Sequence, residues 1–168
     1  MKSLRKSQGI LIVTLISLAL SGLILGGCQT MGQKDMGRYV DSANRVTLDK
    51  GGPHSQTFQT ADMTVTYQYK TAGNRLKVWG QGEIKYESID VLTFHLFFLD
   101  AQGKVISSHD FYSHLDHNDF TVMKSNTRQF HRDFTLPAGA QAFAIGYDGE
   151  TKHSADQEDI NFSHTPFN

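Results

Sequence analysis

Three imidazoles and three carboxylates fall within eleven positions, at His109, Asp110, His114, Asp116, His117 and Asp119. Neutral imidazole nitrogens and carboxylate oxygens are ligands for zinc or copper, and His114 and His117 flank Asp116 so that they converge at a strand end, with His109 on the paired strand. That gives a divalent-metal reading built on His109, His114 and His117, which His131 and His153 would join from neighbouring loops. The spacing matches no closed structural zinc pattern, and no thiolate is available to complete one. The plainer expectation is a solvated connection, because Asp, Asn and His favour irregular backbone. Residues 116–119 also lack the glycine and distal glutamate of an EF-hand calcium loop.

Catalytic arrangements are sparse. The chain holds no Gly-x-Ser-x-Gly elbow, no His-Glu-x-x-His and no phosphate-cradling glycine loop. Ser107, Ser108 and Ser113 stand near histidines in sequence, but triads are defined by geometry rather than adjacency. The expectation is a protein that is not an enzyme and needs no cofactor.

The elements that must position these residues are strands. Met63, Val65, Tyr67 and Tyr69 alternate with Thr64, Thr66, Gln68 and Lys70, the period-two pattern of a strand with one buried face. Turn residues at 71–74 lead into a second run over 75–86, and the pair reads as a hairpin. Gly80 and Gly82 flank Gln81 and predict a bulge or a close crossing by Trp79. Residues 89–99 are nearly continuous in apolar side chains, which predicts a strand central in its sheet or buried on both sides, with His95 a packed, hydrogen-bonded histidine. Asp100 and Gly103 occupy the first and fourth positions of a type I turn that closes a hairpin onto 104–112.

Further runs follow at 120–123 and 127–136. Over 141–148, Phe143, Ile145 and Tyr147 alternate with Ala142, Ala144 and Gly146, a small-residue face that lets an opposing layer approach. Asp148, Gly149 and Glu150 read as a turn, Asp156, Glu158 and Asp159 as a solvated acidic tail. Phe162 and Phe167 either tuck a last strand onto the fold or lie in a free tail. About seven short strands with regular turn signals and no amphipathic helix predict an all-β, antiparallel sandwich over residues 57–168. Residues 97–105, Phe-Phe-Leu-Asp-Ala-Gln-Gly-Lys-Val, and 134–139, Phe-Thr-Leu-Pro-Ala-Gly, resemble the immunoglobulin-like or fibronectin-like modules of bacterial envelope proteins, including the FxLYD type. The resemblance implies an immunoglobulin-like sandwich, in which Trp79 would be the buried tryptophan.

Upstream, Lys2, Arg5 and Lys6 precede an uncharged apolar stretch over 10–25, which ends in Leu25-Gly26-Gly27-Cys28. The stretch is short for a spanning helix of about 20 apolar residues, and fits a signal peptide over residues 1–27; an uncleaved signal anchor is the alternative. Cys28 is the chain's single cysteine. The run resembles the lipobox of bacterial lipoproteins, which implies cleavage before Cys28 and lipid on its sulfur and amino group. Gln29 stands where an aspartate would retain such a protein in the inner membrane. The implied location is therefore the outer membrane, lipid-anchored and facing the periplasm.

Removing residues 1–27 takes three basic residues from sixteen and leaves thirteen against seventeen acids, about four negative charges net. That balance, with no basic stripe, argues against nucleic acid. With no second cysteine for a disulfide, the fold must rest on its core. Residues 28–56 read as a polar tether, or as a tether whose second half packs as an edge strand. The expected role is a binding or assembly-accessory module that meets a protein partner of the cell envelope.

Overall fold

The computed structural model describes residues 35–86, 89–113, 127–151 and 160–167. Their nine strands are β1 (Val46–Thr47), β2 (Gly51–Gln59), β3 (Met63–Ala72), β4 (Arg75–Ile84), β5 (Val91–Leu99), β6 (Val105–Ser113), β7 (Thr127–Thr135), β8 (Ala142–Glu150) and β9 (Asn161–His164). They form two antiparallel sheets, one ordered β2-β3-β4-β7, the other β1-β8-β5-β6 with β9 also paired to β8. The protein is an all-β antiparallel sandwich. Among the described residues no helix is long and apolar enough to cross a membrane.

Alternation builds the core. Met63, Val65, Tyr67 and Tyr69 of β3 and Leu76 and Val78 of β4 face Leu92, Phe94, Leu96 and Phe98 of β5 and Phe143, Ile145 and Tyr147 of β8. The layer is rich in rings: Phe94 lies 5.1 Å from Phe130, and Tyr69 meets Phe143 edge-on at 5.1 Å. Such pairs add to simple area burial, which suits a domain whose described residues contain no cysteine.

The structure departs from several expectations. β4 pairs with β3 in unbroken register from Arg75 to Ile84, so Gly80 and Gly82 make no bulge. They answer to close approach: a Cβ on Gly80 would fall 2.3 Å from the Thr66 carbonyl oxygen, and one on Gly82 would meet the Phe94 ring at 3.1 Å. Asp148, Gly149 and Glu150 are not a turn but the end of β8, where a Cβ on Gly149 would strike the Phe162 ring at 2.4 Å. The nine strands are the six expected runs that fall within the described residues, two from the region read as a tether, and β9 near the carboxyl end. β2 zips onto β3, and from residue 37 onward the chain is docked against the sandwich, with Val40 fully buried. This is the alternative in which the second half of 28–56 packs as an edge strand, and β2 keeps a polar composition because few of its side chains face inward. The run expected at 120–123 lies outside the described residues.

The turn at 100–103 forms as its residues require. Gly103 has φ +83°, and Asp100 Oδ1 accepts from the backbone N–H groups of Gln102 and Lys104, both at 2.9 Å. β5 is central in its sheet. Its first half alternates, and its second half is buried on both faces because Phe97 and Leu99 form a second cluster with Val40, Val105 and Ala144. Phe167 closes that cluster from the carboxyl end, 5.0 Å from Phe97 and with the Arg38 guanidinium 3.8 Å above its ring.

Candidate functional site

Among the described residues nothing covers the outward face of the β2-β3-β4-β7 sheet around Trp79. Its register sets side chains in rows across the strands: Gln68, Trp79 and His131 form one row, Thr66, Gln81 and Gln129 the next. Neighbours in a row stand about 4.8 Å apart and successive rows about 6.8 Å. These six residues line a groove of about 840 Å³, with Lys77 at its border. Trp79 therefore belongs to the outer surface, half-buried, and not to the core. The signal was present in the alternation, because Val78 and Leu76 take the inward positions of β4 and leave Trp79 outside.

The groove is nearly neutral, with a largely apolar surface around Trp79 and polar side chains set about it. Three glutamine side chains supply carbonyl acceptors and N–H donors, Thr66 a hydroxyl. No described carboxylate lines it. Lys77 is partly satisfied by Asp133, 3.8 Å away, and Arg75 reaches the same carboxylate at 3.6 Å. Tyr67 also borders the groove. Its side chain points the other way, into the core, where burial, with Tyr69 beside it, pushes the hydroxyl well above the usual tyrosine range.

On the other sheet, His95 sits on the outward face of β5 between two carboxylates. Its Nδ1 lies 2.6 Å from Asp110 Oδ1 on β6, and its Nε2 is in close contact with Asp148 Oδ1 on β8. Burial works against the charged ring, but hydrogen bonds and Coulomb attraction from Asp110 and Asp148 outweigh it and raise the pKa above the ordinary value. An imidazolium that donates from both nitrogens has no lone pair for a metal or a substrate proton. The expected packed, hydrogen-bonded histidine is present, but as an ionic bracket joining three strands on the surface rather than inside the core.

Of the proposed metal ligands, His109 lies on β6, paired with Leu96, so it faces the opposite side of the sheet from Asp110. It packs at 5.8 Å from Phe98 and 5.9 Å from Phe134, and its Nε2 lies 3.1 Å from Ser107 Oγ. His114, His117, Asp116, Asp119, His153 and Cys28 lie outside the described residues. His131 stands in the Trp79 groove, on the other sheet from His109. Among the described residues no three His, Cys, Asp or Glu side chains are grouped to hold a metal ion.

A further polar cluster pins one end of the sandwich. Tyr147 lies 2.5 Å from the Thr60 hydroxyl, and Tyr86 donates to Asp62 at 2.7 Å. Burial first, then the Asp62 carboxylate, pushes Tyr147 up to about 12, with the Thr60 contact opposing. These groups satisfy one another and tie the β2–β3 turn to β8.

No protein-family model matches the chain, and no curated protein or solved structure is significantly similar to it.

Proposed function

We propose that this chain is an outer-membrane lipoprotein whose immunoglobulin-like sandwich is a non-enzymatic binding module in the periplasm, with the Trp79 face as its recognition surface. One observation carries the binding role. The chain's own segments around Val40 and Phe167 cover the apolar part of one sheet's outer face, at Phe97, Leu99 and Ala144, whereas nothing among the described residues covers the other sheet's outer face around a half-buried tryptophan. Large aromatic side chains set among polar groups are common anchors of recognition. The lipid anchor rests on the run Leu25-Gly26-Gly27-Cys28 behind a basic, apolar leader. Seven peptide steps from Cys28 to Asp35 span at most about 25 Å. A domain on that tether stays close to the bilayer, where an envelope partner would meet it.

Two measurements test this reading. Mass spectrometry of the mature amino terminus is expected to find a lipid-modified Cys28, and Cys28→Ala to abolish membrane fractionation; an unmodified cysteine overturns the anchor. A photo-crosslinking side chain at Gln81 is expected to yield a discrete envelope adduct in cells, while the same group at Asp148 on the opposite sheet does not. Equal labelling from both positions overturns the assignment of the face.

A further inference from the structure

Resting on the reading of the Trp79 face as a recognition surface, we propose that the groove binds a glycan of N-acetylated amino sugars. Its size is the first argument. The groove is shallow and open, about 840 Å³, which leaves room for a short oligomer laid across the strands rather than for an enclosed small ligand.

Chemistry narrows the class. An indole presents a broad apolar face, which suits the C–H face of a pyranose ring. Around it Gln68, Gln81 and Gln129 each offer one carbonyl and two N–H donors, a set that matches the hydroxyl and acetamido groups of an amino sugar. Glutamine pairs with an acetamido group donor to acceptor and acceptor to donor, which a plain polyol does not reproduce.

Charge excludes the main rivals. A phosphate or nucleic-acid ligand calls for arginine forks or a row of unpaired cations, yet no described arginine lines the groove and Lys77 is shared with Asp133. A cationic ligand finds no described carboxylate there. The near-neutral lining, apolar around Trp79 with amide side chains beside it, complements an uncharged ring-built chain that also hydrogen-bonds. The position also differs from strand addition, because the groove lies across β3, β4 and β7 rather than along an edge.

The site carries its own probe, since Trp79 is the only tryptophan of the chain. The full chain in detergent is titrated with N-acetylglucosamine tetramer, and with glucose tetramer as the comparison, while tryptophan emission is read. A saturable change with the acetylated tetramer, at least tenfold weaker with the glucose tetramer, is expected. Gln81→Ala and Gln129→Ala keep the fluorophore, and each should weaken binding about threefold to tenfold, the scale of a lost hydrogen bond, with circular dichroism unchanged. No saturable change with a folded protein, or equal affinity for the two tetramers, overturns the proposal. If the glycan fails while the crosslinker at Gln81 still gives its adduct, the ligand class is wrong and the recognition face stands. If both fail, the reading of the face falls with it.

Discussion

The two outer faces of this sandwich are built from the same alternation and end differently. On the β1-β8-β5-β6 sheet one end of the outward face, at Phe97, Leu99, Ala142 and Ala144, is apolar and the chain folds its own segments over it, while His95, Asp110 and Asp148 stay at the surface at the other end. On the β2-β3-β4-β7 sheet the outward positions are Thr66, Gln68, Gln81 and Gln129, with Trp79 among them, and nothing in the described chain covers them. Apolar side chains left facing water forgo about 25 cal/mol per Å², so the first face had to be covered. The second is soluble enough to stay open, and its single large aromatic is then available to another molecule.

The largest expected effect comes from breaking the covered face. Phe97 is 4% exposed and touches Phe167, so Phe97→Ala should cost about 3–5 kcal/mol. Trp79→Ala on the open face should cost about 1 kcal/mol or less, because surface changes away from special features are small. Urea denaturation of the two variants measures both. Equal losses would mean that Trp79 is a packing residue and that the faces do not differ.

A smaller effect tests the fit of the cover. Gly146 lies where a Cβ would come within 2.8 Å of the His164 carbonyl oxygen and 3.2 Å of Pro166 Cδ. Gly146→Val should lift the carboxyl segment and destabilise by about 1–3 kcal/mol. Val on the open face, at Thr66, has an empty groove before it and should be tolerated. Thermal melting distinguishes them, and a neutral Gly146→Val would show that the segment gives way without cost.

Much of this contrast was legible in the residues. The alternation in β3 and β8, the turn at Asp100 to Gly103 and the small outward face of β8 were each readable, because local period and turn chemistry depend on few neighbours. Only the identity of the covering layer was missing: Gly146 accommodates the chain's own residues 164–166 rather than a second sheet. What pattern could not supply was long-range. Tyr39 pairs with Lys104 and Val40 with Phe167 across more than sixty and one hundred positions, and no composition reveals such partners. The His95 bracket was hidden for the same reason, since Asp110 and Asp148 reach it from strands on either side. Trp79 was misassigned because a lone tryptophan in a sandwich suggests a core residue, while the phase of β4 places it outside.

Acidity sharpens the comparison on the covered sheet alone. His95 has its pKa raised in the folded state, so the bracket contributes fully below the unfolded value near 6.5 and is lost as pH rises through the folded value. Asp110 and Asp148 are each 56% exposed, which discounts the gain to about 1 kcal/mol. His164 opposes it, because burial lowers its pKa and its protonation in the unfolded chain draws stability away as pH falls through about 6.5. The difference between wild type and His95→Gln isolates the bracket. That difference should grow from pH 8.5 to pH 6, and a difference independent of pH would mean that the two carboxylates do not hold the ring charged.

The smallest effect is expected at the rim between the faces. His109 is exposed on the edge strand β6, and its ring contacts are to Phe98 and Phe134, with Ser107 Oγ at 3.1 Å. If it serves only as a cover for those rings, His109→Ala should shift stability by about 0.5 kcal/mol, with or without zinc. A site that used His109, His114 and His117 would behave otherwise. Zinc at a hundredfold excess over its dissociation constant would stabilise the fold by about 2.7 kcal/mol, and His109→Ala would remove most of that gain. Calorimetry of wild type and variant across a zinc series separates these outcomes. A steep zinc dependence in the wild type, absent in His109→Ala, would place a metal centre at the rim and make the open Trp79 face the second site of the molecule rather than its principal one.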